Sequence, residues 1–295
     1  MVFERYRLEK QLRQLVERAN ALLSLLKSID LTIDRGIHEC FILRLSNELN
    51  AMLETVSSKL ANCNNKDCFN EVSKSLLTIS QYLAVLEGEV KRLRSLSEIE
   101  LKILFREIFE CKDQPLITLK FAPLFQFCFA EVSLGGVELK LKAAEEGLQR
   151  LQAGEGVHPR LHYVWEKILK HEEQLLNDAR KKLTEIKEII ANQPCEALKM
   201  LSILTQSIDE LRDRLEEYKT LRIEYFSPKA IESLIPPNAD KIFESEEDVK
   251  RMLNTRIFER LYGLLYRTLP SVEAEKVAES LLEEYAKCVW ERIKR

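Results

Sequence analysis

Val72-Ser-Lys-Ser-Leu76-Leu-Thr-Ile79-Ser-Gln-Tyr-Leu83-Ala-Val-Leu86-Glu-Gly-Glu-Val90-Lys-Arg-Leu93 decides the fold. Its apolar positions 72, 76, 79, 83, 86, 90 and 93 alternate steps of four and three residues. That spacing lays one continuous stripe along an α-helix. A strand cannot use it, because successive strand side chains point to opposite faces. The stretch predicts a helix opening near Asn70, a candidate N-cap. Ser97 with Glu100 then forms a capping box for a further helix running to about Glu110.

Toward the N-terminus the pattern repeats. Leu8, Leu12, Leu15, Ala19, Leu22 and Leu26 predict a helix over residues 3–28. After a break at Gly36, Phe41, Leu45, Leu49, Met52 and Val56 predict another over residues 37–60, followed by a polar loop at 62–68. Short connectors make such helices pack antiparallel, so residues 1–112 read as an N-terminal helical bundle.

Toward the C-terminus, residues 113–153 read as a Phe-rich apolar connector plus a short helix. Four phenylalanines, Phe121, Phe125, Phe127 and Phe129, crowd into nine residues. Phe121, Phe125, Cys128 and Val132 fit one helical face, while Phe125, Phe127 and Phe129 alternate as in a strand. A small β or irregular insert at 116–134 therefore stands beside the helical reading, with Gly135–Gly136 expected to end either. Residues 154–226 read as a long antiparallel helical hairpin broken at Pro194. One arm carries Ile168, Leu176, Ala179, Leu183, Ile186 and Ile190, and the other Leu201, Leu204, Ile208, Leu211, Leu215 and Tyr218. Residues 227–295 read as a C-terminal helical region. There Ser245 caps a helix bearing Val249, Leu253, Ile257, Leu261 and Leu264, Pro270 stops it, and a last helix carries Val277, Leu281, Tyr285, Val289 and Ile293.

Composition supports an all-α, multi-helix fold. The 295 residues include only 8 Gly and 8 Pro, against about 35 of the two in an average chain of this length. Sheets and barrels consume turns, and turns consume these residues. Charged residues make up 32%, which suits solvated helix faces or a thermophilic source. With 45 Lys+Arg against 48 Asp+Glu, the net charge is −3, which argues against a protein built to coat nucleic acid. The longest uncharged stretches, residues 75–86 and 121–130, are too short to cross a bilayer. With no signal-peptide pattern, the expected location is cytoplasmic.

Chemistry-bearing motifs are sparse. Phosphate-binding loop, metalloprotease, nucleophile-elbow and kinase patterns are absent from the sequence, which leaves no catalytic residue, cofactor or metal assigned and a non-enzymatic protein expected. His158, His162 and Glu166 stand four apart, but Pro159 spoils the common helical face a zinc site would need. Glu172–Glu173 and Glu246–Glu247–Asp248 read as solvated faces. The seven cysteines are odd in number and read mostly as small hydrophobes, without a disulfide framework. Cys63 and Cys68 are the local exception: either a disulfide ties the loop between them, or both are free thiols as in a reducing cytosol.

These features favour a helical scaffold or assembly protein acting through protein–protein contacts, by self-association or with a partner. One alternative is a membrane-active protein using the 116–134 segment, with Phe121, Phe125, Phe127 and Phe129 as an exposed apolar surface rather than a buried plug. Another is a nucleic-acid-associated protein using Lys91, Arg92 and Arg94, or Arg180, Lys181 and Lys182. No small-molecule substrate is evident.

Overall fold

The structure, a computed structural model, describes residues 2–233, 235–254, 262–263, 265–266 and 271–294. Expectations placed on Ile257, Leu261, Leu264 and Pro270 lie outside the described residues. The order is α1 (Val2–Lys27), α2 (Arg35–Ala61), α3 (Lys66–Ser95), α4 (Glu98–Phe109), α5 (Ala122–Gln152), a 3-10 turn (Pro159–Leu161), α6 (His162–Ile189), α7 (Pro194–Leu221), a π-helical turn (Arg222–Phe226), α8 (Pro228–Ser233), α9 (Ala239–Ile242), α10 (Glu246–Leu253) and α11 (Ser271–Ile293). The fold is all-α, and no strand occurs among the described residues. The chain divides into two compact units. One comprises Met1–Leu134 with Lys187–Lys199, the other Gly135–Ile186 with Met200–Arg295.

In the first unit, α1, α2 and α3 each pack on the other two. All seven stripe residues of α3, from Val72 to Leu93, are buried. They meet Leu8, Leu15, Ala19, Leu22 and Leu26 of α1 and Phe41, Leu45, Leu49, Leu53 and Val56 of α2 in the buried set. In α2, Leu53 takes the core position expected for Met52. Helix starts follow side-chain acceptors for the orphan N–H groups. Asp34 accepts from Gly36 N at 2.7 Å, and a Cβ on Gly36 would stand 3.0 Å from that same carboxylate oxygen, so glycine leaves the cap room. Asn65, not Asn70, caps α3 by accepting from Cys68 N at 2.8 Å. Ser97 and Glu100 form the expected capping box on α4.

The end of α4 is a Schellman motif. Cys111 N donates to Ile108 O (3.2 Å) and Lys112 N to Glu107 O (3.1 Å), with Cys111 left-handed at φ 52°. Glycine usually holds this position, and a residue with a Cβ costs roughly 1–2 kcal/mol there. The irregular stretch that follows is pinned by side chains. Glu107, itself buried, accepts from Leu116 N at 2.8 Å, and Arg92 Nη1 donates to Thr118 O at 2.7 Å.

From Ala122 the chain is helical, which decides against the β insert. Phe121, Phe125, Cys128 and Phe129 are buried together, as helical spacing allows and strand alternation does not. Nor do Gly135–Gly136 stop the helix: α5 runs through them to Gln152, and the boundary between the two units falls at Gly135. Two helical glycines cost about 2 kcal/mol relative to alanine. The stripe Val137, Leu141, Ala144, Leu148 and Leu151 is buried beyond them, and burial of that size outweighs the propensity cost.

In the second unit the stretches of α6 up to Ile186 and of α7 from Met200 run antiparallel. Trp165 meets Tyr218 and Glu172 meets Arg214, so partner numbers fall as the helix numbers rise. The later part of α5 lies beside both arms, through Lys140–Asp209 (2.6 Å) and Arg180–Glu145 (2.6 Å). Trp165 also donates to Leu151 O at 3.0 Å. α11 packs on α10, α8 and the 3-10 turn. Its Glu291 binds Arg160 at 2.6 Å and its Arg292 binds Glu232 at 2.7 Å.

Candidate functional site

The Phe-rich segment is an aromatic core. Phe125 stacks on Phe41 with centroids 4.0 Å apart and meets Phe105 edge-on at 4.9 Å. Phe121 leans on Phe41 at 5.3 Å, and Phe129 meets Phe109 at 5.4 Å. Such pairs add to the area they bury. An exposed surface made of all four phenylalanines is therefore not formed. Phe127 alone reaches partly to solvent, under the Arg44 guanidinium 4.3 Å from its ring centroid. Among the described residues no helix is long and apolar enough to cross a membrane.

The cysteines correct the expectation of free thiols. Cys63 is bonded to Cys68, Cys40 to Cys128 and Cys111 to Cys195, with Cα–Cα separations of 5.6, 5.7 and 5.7 Å, inside the range the bond requires. Two of these join helices or loops more than eighty residues apart in sequence. Periodicity could not reveal them, because a buried bonded cysteine and a buried free one occupy the same helical positions. Cys288 is free and buried.

Cys288 lies against His158, with Sγ 3.8 Å from Nδ1. Burial pushes the Cys288 thiol up and, with the nearby Arg160 charge, the His158 imidazole down. Both shifts favour the neutral forms, whereas a nucleophilic cysteine needs a thiolate beside an imidazolium. His158, His162 and Glu166 do not form a common face: His158 precedes the 3-10 turn, and His162 packs on Gly154, where a Cβ would stand 2.8 Å from its ring. Among the described residues no group of three or more His, Cys, Asp or Glu side chains could hold a metal ion.

Glu172 departs from the solvated reading, whereas Glu173 fits it. Glu172 is fully buried. It accepts from Arg214 Nη2 at 3.2 Å and from the Tyr218 hydroxyl at 3.2 Å. The basic candidates are partly committed to internal partners: Arg92 to Thr118 O, and Arg180 to Glu145 and Asn177.

Exposed apolar side chains are scattered over the described residues, and the outer face of α3 is where they adjoin an uncharged groove. No family model, curated protein or solved structure matches the chain. Its site is therefore read from its own residues. Leu77 is 59% and Val85 37% exposed, and Thr78, Gln81, Ala84 and Gly88 are exposed beside them. Next to this ridge, Ala51, Met52 and Thr55 of α2 with Ser75 and Thr78 of α3 line a shallow groove of small, uncharged side chains. The sequence signal for this face is the uncharged run over residues 75–86. With α3 bounded, that run proves to supply an inner and an outer face at once.

Proposed function

We propose that the protein is a non-enzymatic helical assembly protein that self-associates through the outer α2–α3 face. The observation that carries this reading is the uncharged ridge and groove side by side on that face, in a chain that is 32% charged. The inner stripe of α3 is already spent on α1 and α2, so the bundle does not need the outer one. The run over residues 75–86 brings no charge to such a contact, while Lys74 and Arg18 border Leu77 on the α1 side. A two-fold pairing sets each patch against itself, which lets the Leu77 ridge of one copy enter the Ala51–Thr55–Thr78 groove of the other. Buried Leu and Val side chains are worth about 1.5–3 kcal/mol each, and each contact occurs twice.

The expected cytoplasmic setting belongs to this proposal. It requires a cytoplasm in which structural disulfides persist, as in hyperthermophiles, and the high charge content fits such a source.

Light scattering on the eluting protein tests the reading. Wild type runs as a dimer, and Leu77→Glu with Val85→Glu runs as a monomer of unchanged helicity. A monomeric wild type, or a dimer indifferent to both substitutions, overturns it.

A further inference from the structure

We propose that the Cys111–Cys195 disulfide is a redox latch on segment 187–199 of the first unit. The bond joins the C-terminal turn of α4 to the first turn of α7, residues 84 apart. It ties 187–199 to the body of the unit, to which that segment belongs although it lies far along the chain. Of the three disulfides it is the one in which neither cysteine is fully buried. Cys128 and Cys63 are buried in the other two. Attack by an external thiolate needs access to a sulfur; here both cysteines are half-buried, whereas Cys40 and Cys68 are each bonded to a buried cysteine, so this bond offers a reductant two points of attack against one in each of the others. Opening Cys63–Cys68 would free only a five-residue step. Opening Cys111–Cys195 releases a long-range tie.

Cys111 adds a second reason. It sits left-handed where glycine normally closes a helix, and the bond to Cys195 helps hold it there. A released Cys111 can leave that conformation, and the turn that sets the direction of residues 112–121 loosens with it.

The chemistry balances with a dithiol reductant of the Cys-x-x-Cys kind. One of its thiolates attacks Cys111 or Cys195 and forms a mixed disulfide, expelling the other protein sulfur as a thiolate that takes up a proton. The second reductant thiol then resolves the mixed disulfide. Two electrons and two protons pass to the protein, and the reductant leaves as its own disulfide. A disulfide oxidant reverses each step.

The test is hydrogen exchange on the full chain during a graded dithiothreitol titration, with alkylation mapping of released thiols. Cys111 and Cys195 are expected to alkylate before the other four bonded cysteines. Amides in 187–199 then exchange about tenfold faster or more, while those of α1–α3 do not change. Earlier opening of Cys40–Cys128 or Cys63–Cys68, or unchanged exchange over 187–199, overturns the proposal. A Cys111→Gly, Cys195→Ser chain keeps the helix terminus and should exchange like the reduced protein without reductant. If that variant does not fold, the titration on wild type decides alone.

Discussion

Glu172 shows how much a single side chain can hold in place. It lies between two long arms, fully buried, with Arg214 and Tyr218 as partners. Removing one member of a buried pair leaves the other charge uncompensated, at a cost of about 3–5 kcal/mol. Glu172→Ala is therefore expected to lower the urea unfolding free energy by that amount, and Glu172→Gln by less, since an amide still accepts from Tyr218. A loss under about 1 kcal/mol for the alanine variant would mean that solvent already satisfies Arg214. Nothing in the Glu172–Glu173 dipeptide separates the two residues. Only the stripe of Leu176, Ala179 and Leu183, extended back by helical steps, puts position 172 on the inner side. From the sequence both glutamates read as solvated, because burial of a carboxylate depends on a partner 42 residues away.

At the scale of elements, most of the fold is legible because helix stripes are local. The α3 stripe is buried without exception, and the box at Ser97 forms as its residues dictate. Misreadings gather where a local signal competes with distant packing, as at Gly135–Gly136. Because α5 passes through both with open space at each Cβ, Gly135→Ala and Gly136→Ala should each stabilise the protein, by up to about 1 kcal/mol. Alanine at a true turn glycine would destabilise instead, so the sign of the Tm shift separates the two geometries. The capping boxes predict an acid limb. Hydrogen bonds from Ser97 hold Glu100 below the ordinary 4.5, and those from Ser245 hold Asp248 below 3.8. Carboxyls depressed in the folded state contribute stability that is complete above the ordinary range and is lost as pH falls through the folded value. Ser97→Ala should cost about 1 kcal/mol near neutral pH. Its difference from wild type should shrink in urea titrations below about pH 4. A gap that stays constant down the acid limb would remove Glu100 from the cap.

For the whole molecule, the sequence reads as four consecutive stretches, whereas the compact units are not consecutive: 187–199 belongs with residues far upstream. A linear pass along hydropathy has no means of registering that return. The candidate site was half legible for a related reason. The uncharged run over residues 75–86 is visible in the string, but which of its side chains face outward emerges only when α1 and α2 claim the inner ones. The same discontinuity bears on how the protein is made. Chains leave the ribosome N-terminal end first, so Cys63 and Cys68 can close at once, while Cys111 waits beside Cys128 until Cys195 has been synthesised. The spans closed by Cys40–Cys128 and Cys111–Cys195 interleave. A nascent chain that joins Cys111 to its near neighbour Cys128 blocks both native bonds together. Correct maturation therefore depends on α2 capturing Cys128 as α5 forms, before the thiols still unclaimed find each other.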